Sequence, residues 1–393
     1  MKLIKGLKSA SLHVQELTDE QRVNWVRIAA MVSTLVLMLY APKLWLTTKT
    51  FPVIPLFDWI PIPVGSIEYV FWGILFGSQL IYIFYNKRWL GWLALLTYVY
   101  LAMVDQNRLQ PYFYQSALTL LAIVIFPKKA DSRKVLYTVI LIFFATYFWS
   151  GIQKLNDAFY VRWFDALEKH FLCTAGAEEI VICLPEWFLK AFTYAVPWLE
   201  ASMGILLLFN KTRKFGLIFT LFMHVIITYL LFFLGYGFNV VPWNIQNMIS
   251  AIALFWGLQT TGPLDFFISK FDIQRALLIF MVMVLPLMNY TTGFYDHLLS
   301  FHFFTADLKY YNVFLHEDLV DKLPKDAQDF TRVENVEDYI QMNEWAQYDN
   351  KVLFYPEERA IQYMEKYLRS FADDPTREDL VRLYDYNKVR EGE

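Results

Sequence analysis

The chain has 393 residues, 56% hydrophobic and 19% aromatic, with 35 basic residues against 38 acidic ones. That apolar content lies above the roughly 45–50% of soluble domains and excludes an ordinary soluble enzyme. A net charge of −3, with no basic stripe, excludes a nucleic-acid binder.

Met1–Arg22 is polar and amphipathic and has no apolar core before a small-residue cleavage site, so residues 1–22 are expected to be a cytoplasmic segment rather than a signal peptide. Runs long enough to cross a bilayer follow at Ile28–Leu46, Ser66–Tyr85, Trp89–Val104, Tyr112–Phe126, Val135–Gly151, Leu189–Phe209, Phe215–Leu234, Val241–Leu258 and Asp272–Asn289. The expected fold is an all-α polytopic membrane protein, with about nine transmembrane helices in residues 23–304. The runs at Trp89 and Tyr112, and the last one, which Pro286 interrupts, carry the weakest signal.

Sidedness follows from Lys and Arg. Counted from a cytoplasmic N-terminus, ten fall on that side: Lys87, Arg88, Lys128, Lys129, Arg133, Lys134, Lys211, Arg213, Lys214 and Lys270. Only five fall opposite: Lys49, Arg108, Lys154, Arg162 and Lys169. The N-terminus is expected inside a bacterial inner membrane and the C-terminus outside. Cys173 and Cys183 then share the outer loop Asn156–Pro185, where an oxidising compartment favours a local disulfide. Two thiols without a His pair do not make a metal site, and none is expected.

After Phe304 the charge changes. Residues 305–393 carry 12 basic and 21 acidic side chains, net −9, against 23 and 17, net +6, in residues 1–304. This part reads as a small α+β extracytoplasmic region. A strand is expected within Leu308–Leu315, a weaker one at Trp345–Phe354, and helices at Glu357–Phe371 and Thr376–Val389.

Two ionisable groups interrupt apolar runs. Glu200 lies eleven residues into Leu189–Phe209 and His224 nine into Phe215–Leu234, with only the turn Asn210–Lys214 between the runs. Both therefore sit roughly 15 Å from that turn, at one depth. Each costs about 2.5–3.5 kcal/mol at a bilayer centre, so it faces a partner or a site. Either the pair marks a polar cavity or it is a Glu–His hydrogen bond gluing the helix hairpin. In both cases the two groups are expected to interact.

Three further features fall on the outer side. Tyr147–Asn156 ends a run with Lys154, which either snorkels to the interface or, held against apolar walls, acts as a general base. Asp105–Pro111 is either a capped loop or a device placing Arg108 and Gln110 beside Lys154. Gly235–Asn244 reads as an aromatic interface belt. No nucleotide loop, HExxH, CxxC or Gly-x-Ser-x-Gly pattern occurs.

Ser150-Gly151-Ile152-Gln153-Lys154-Leu155 resembles the small-Gly-aliphatic-x-Lys-Leu motif of the vitamin K-dependent γ-glutamyl carboxylases and their bacterial HTTM (horizontally transferred transmembrane) relatives. Leu199–Gly235 is similar to them as well, with Glu200, Gly204, Arg213, Gly216 and His224 in step, and the likeness covers most of residues 66–260. The resemblance implies a membrane protein that binds a reduced quinone, with the Lys154 position as the base that deprotonates it, and carboxylase-like lyase or oxidoreductase chemistry. Two departures stand out: Gln110 occupies the place of a catalytic histidine in the animal enzymes, and their large luminal domain is represented only by residues 305–393. From the residues themselves, a basic side chain above a mid-membrane acid–histidine pair suits an amphiphile such as a quinol, or equally a phospholipid headgroup. Glu200, His224, Arg108, Gln110 and Asn156 are the expected lining. The alternative is a non-enzymatic scaffold, assembly factor or transporter subunit that docks an exported protein or peptide through its acidic tail.

Overall fold

Thr18 starts the first helix. Its hydroxyl accepts from the Gln21 N–H and its own N–H donates to the Gln21 side chain, a reciprocal cap. The computed structural model describes residues 17–127, 131–172, 184–233, 238–334 and 337–385. Its helices are α1 (Asp19–Tyr40), α2 (Ser66–Phe84), α3 (Arg88–Val104), α4 (Pro111–Val124), α5 (Ser132–Gln153), α6 (Asp157–Phe171), α7 (Glu186–Leu208), α8 (Arg213–Phe233), α9 (Val241–Phe255) and α10 (Ile273–Thr292).

Each of the nine apolar runs is helical, yet the expected count of nine spans is not met. Among the described residues, five helices are long and apolar enough to cross a membrane: α1, α2, α5, α7 and α10. α3 and α4, at 17 and 14 residues, fall short of the ~20 that a bilayer core requires. The reason lies between them: Asp105 caps a 3-10 turn at Gln106–Arg108, and Pro111 restarts the helix. In α10 the hydrogen-bond ladder widens to a π turn at Phe280–Val284, just ahead of Pro286, whose missing N–H makes such a break inexpensive.

α5 is the hub. Within its span 83% is buried, against 28% for α2 and α10, which present apolar faces outward. α5 packs most closely on α7, because Gly151 lets the two backbones touch. A Cβ there would stand 2.4 Å from Ala201 N and 2.5 Å from Pro197 O. Small residues at such crossings are how apolar helices gain close packing.

The two ends of the bundle differ in chemistry. At the basic end Arg133 pairs with Asp19, Lys134 with Asp272 and Lys270 with Asp131. At the other end, the sheet end, lie Thr47–Ile60, Asp105–Gln110, α6 and the C-terminal region. The ends of the segment between α6 and α7 are joined there, Leu172 pairing with Leu184. Cys173 and Cys183 lie outside the described residues.

The C-terminal region forms an antiparallel sheet of β1 (Tyr311–Leu315), β2 (Thr331–Glu334), β3 (Glu337–Ile340) and β4 (Val381–Asp385), in spatial order β2-β3-β1-β4. α11 (Met342–Asn350) and α12 (Glu358–Arg369) accompany it. The expected strand at Trp345–Phe354 is therefore mainly helix, because Trp345, Ala346 and Asp349 are buried together at helical spacing. The expected helix from Thr376 is, up to Asp385, a short 3-10 turn and strand β4, which completes the sheet beside β1.

This region is not a separate appendage. Phe51, Ile54 and Leu298 belong to its apolar core, with Trp345 and Phe354 around Phe51. Asp349 accepts from the Thr50 and Phe51 N–H groups at 2.7 and 2.8 Å. Lys49 and Asp105 form a fully buried ion pair at 2.5 Å, and Lys49 also donates to Asn350. Burial opposes the Asp105 charge, but Lys49 and Arg108 outweigh it and hold the carboxyl below its ordinary range.

Candidate functional site

Three residues on one face of α5 build the site. Tyr147, Ser150 and Lys154 recur at helical spacing and reach the same side. Lys154 is the C-cap of α5, where the helix dipole favours a cation. Its side chain does not snorkel outward. It folds back along its own helix and is 6% exposed. Nζ donates to Ser150 O at 3.1 Å, to Ser150 Oγ at 2.8 Å and to Glu200 Oε2 at 2.8 Å. The Ser150 hydroxyl in turn donates to Glu200 Oε1 at 2.7 Å. All three ammonium protons are thus engaged.

A second chain begins at Tyr147 and has a fixed direction. Asn244 Nδ2 donates to Val240 O, which leaves Asn244 Oδ1 as the acceptor from His224 Nδ1 at 2.7 Å. His224 Nε2 therefore accepts, and the Tyr147 hydroxyl donates to it at 2.9 Å. The direct Glu200–His224 hydrogen bond, one of the two arrangements expected for the pair, does not form: Glu200 is taken by Lys154 and Ser150, and His224 by Tyr147 and Asn244. α5 stands between the two groups and supplies a partner to each.

Both chains line one cavity of about 280 Å³. Its remaining wall is mainly apolar, with Phe159 and Trp163 from α6, Phe192 and Val196 from α7, Phe219 and Phe222 from α8, and Phe303. Leu199 and Phe222 line it while also being exposed on the outer flank of α7 and α8. Asn244 and Asn247 close it from α9.

The other expected lining residues stand elsewhere. Arg108 is fully buried beneath the sheet end, where it donates to Leu44 O and Leu101 O at 2.7 Å each. Gln110 donates to Asn107 O at the start of α4. Asn156 acts through backbone: its Oδ1 accepts from Phe159 N–H at 2.7 Å and its Nδ2 donates to Gln153 O and Thr305 O. It caps α6, which delivers Phe159 and Trp163 to the cavity. Sequence reading missed Tyr147, Ser150 and Asn244, although the first two share the helical face of Lys154. Among the described residues no three His, Cys, Asp or Glu side chains gather as a metal site.

Comparisons with family models, with curated proteins and with solved structures give no match for this chain.

Proposed function

We propose that this is an HTTM-type, carboxylase-like integral membrane protein, whose cavity binds a quinone-like amphiphile and whose Lys154–Glu200 pair handles the proton of its headgroup. The observation that carries the reading is the burial of a complete ion pair in a largely apolar cavity, beside the Tyr147–His224–Asn244 chain. At about 280 Å³ the cavity lies just under the range of drug-sized sites, roughly 300–1,000 Å³, which suits a ring headgroup rather than a whole long-tailed lipid. Leu199 and Phe222, exposed on the flank, offer the tail a way out toward the acyl chains.

When bound, a reduced quinone would supply an acidic ring hydroxyl and the electrons for later chemistry. Lys154 with all protons engaged is not a base. It becomes one when its proton passes to Glu200, an exchange that leaves the pair neutral overall and needs no solvent. Ser150, bonded to both, holds them in contact. Tyr147, its own proton committed to His224, presents an oxygen lone pair to a ligand hydroxyl.

The saturation of Lys154 also supports a second reading, a non-enzymatic scaffold or transporter subunit in which the ion pair is structural. Identifying the lipids that copurify with the protein separates the two. A quinone-like amphiphile bound in proportion to the protein is expected, and bulk phospholipid alone would leave the scaffold reading.

In the same reading the helical bundle lies in the membrane with the sheet end outside, the side that the ten-to-five basic bias favours. The Leu172–Leu184 pairing joins the ends of the segment that begins and ends with Cys173 and Cys183. A disulfide between them is expected in protein isolated without reductant; free thiols at both positions by mass spectrometry would speak against this orientation.

A further inference from the structure

α4 and α9 meet inside the bundle through polar side chains, of which Gln115, Ser116 and Gln246 lie outside the ligand cavity. Gln115 Nε2 donates to Asn247 Oδ1 at 3.0 Å, Ser116 Oγ to Gln246 Oε1 at 3.3 Å, and Trp243 Nε1 to Gln115 Oε1. Both helices run from the sheet end toward the basic end, so these pairings fix their register. One turn further on, Thr119 stands level with Ser250.

Those two residues are 0% exposed, and neither Thr119 Oγ1 nor Ser250 Oγ makes a hydrogen bond. Gln246 Nε2 and Asn247 Nδ2 are likewise buried without a partner. Asn247 also lines the cavity, so the seam opens from it. Beyond Ser250, the Ala253 and Leu254 carbonyls accept from Arg22 Nη1 at 2.8 and 3.4 Å, at the basic end.

Buried polar groups are almost always paired, with protein or with ordered water. An unpaired one costs more than an ordinary hydrogen bond returns. Four of them in one seam, beside amides already bonded to each other, make a polar lining of the kind that holds water; dry internal space is lined by apolar groups. We propose that the α4–α9 seam binds a short file of about two or three ordered waters, which joins the cavity at Asn247 to the Arg22 end of the bundle. The Thr119 and Ser250 hydroxyls and the Gln246 and Asn247 amides are its partners. Such a file passes protons by exchanging hydrogen bonds, and so gives the Lys154–Glu200 pair a proton route toward the basic end. That consequence rests on the proposed function; the hydration does not.

Water-to-protein magnetisation transfer in solid-state NMR of the full chain in liposomes tests it directly. Transfer to Thr119, Ser250 and the Gln246 amide is expected to build up several-fold faster than transfer to Val139 and Ile142, which are buried among apolar groups in α5. Equal, slow transfer at both sets would overturn the file. A substitution supplies an independent sign. Thr119→Val keeps the shape and removes the hydroxyl. With waters bonded to Thr119 it lowers the thermal midpoint; if that hydroxyl is dry and unpaired, it raises the midpoint and the proposal fails. Neither readout involves a quinone, so a failure of the ligand reading leaves both unchanged.

Discussion

Gly151→Ala is expected to destabilise the protein by about 3 kcal/mol, the upper end of the usual cost of overpacking. The added Cβ would meet Ala201 N at 2.4 Å and Pro197 O at 2.5 Å, and both are backbone atoms of α7 that no rotamer change can move aside. α5 and α7 must separate, which also pulls Lys154 away from Glu200. Gly73 and Gly77 on α2 provide the control. A Cβ at either has nothing within 4 Å, so alanine there costs nothing in contact and gains up to about 1 kcal/mol in helix propensity. Thermal unfolding in detergent compares them. A Gly151→Ala midpoint no lower than that of Gly73→Ala would show that the close α5–α7 crossing is not what holds the site.

The ion pair gives the second large effect. If the proposed quinol chemistry holds, Lys154→Ala is expected to reduce quinol-dependent turnover in reconstituted vesicles by about 10²–10⁴-fold, the range of a general base. Lys154→Arg is expected to be nearly as damaging, since guanidinium keeps its proton. Stability follows a different rule. Glu200→Gln leaves the Lys154 charge buried and unpaired, and breaking such a pair from one side costs about 3–5 kcal/mol. Replacing both partners by methionine removes the orphan charge and is expected to restore most of that stability while turnover stays lost. If the pair were structural only, turnover would return together with stability in the double variant, and Lys154→Arg would function normally.

How far the sequence discloses the fold depends on what each signal measures. Hydropathy located nine of the ten helices α1–α10 and missed α6, which lies in the expected outer loop Asn156–Pro185; it also overcounted spans, in part because Asp105 and Pro111 stop α3 and α4 short. In the C-terminal region local pattern was weaker than long-range packing. Asp349 and Trp345 look compatible with a strand until the loop residues Thr50 and Phe51 arrive from more than 290 positions away and bury them on one face of α11. For the site, depth and spacing put Glu200 and His224 on one cavity and could not assign their partners, which come from a third helix. Lys154 is the case in which end-of-run position misleads in one respect: its chain turns inward because Ser150, four residues earlier, and Glu200 capture all its protons. Arg108 and Gln110 share a side with Lys154, yet sharing a side is a weaker constraint than sharing a cavity, and both serve the loop under the sheet.

The most direct test of the central claim is mass spectrometry of the organic extract from protein purified out of its native membrane, beside a Val196→Trp variant that fills the cavity. A quinone-like amphiphile near one per chain in the natural protein, lost in the variant while both fold alike, is the expected result. The same trace lipids in both preparations, with no species depleted by the filled cavity, would contradict the claim that this cavity holds an amphiphile.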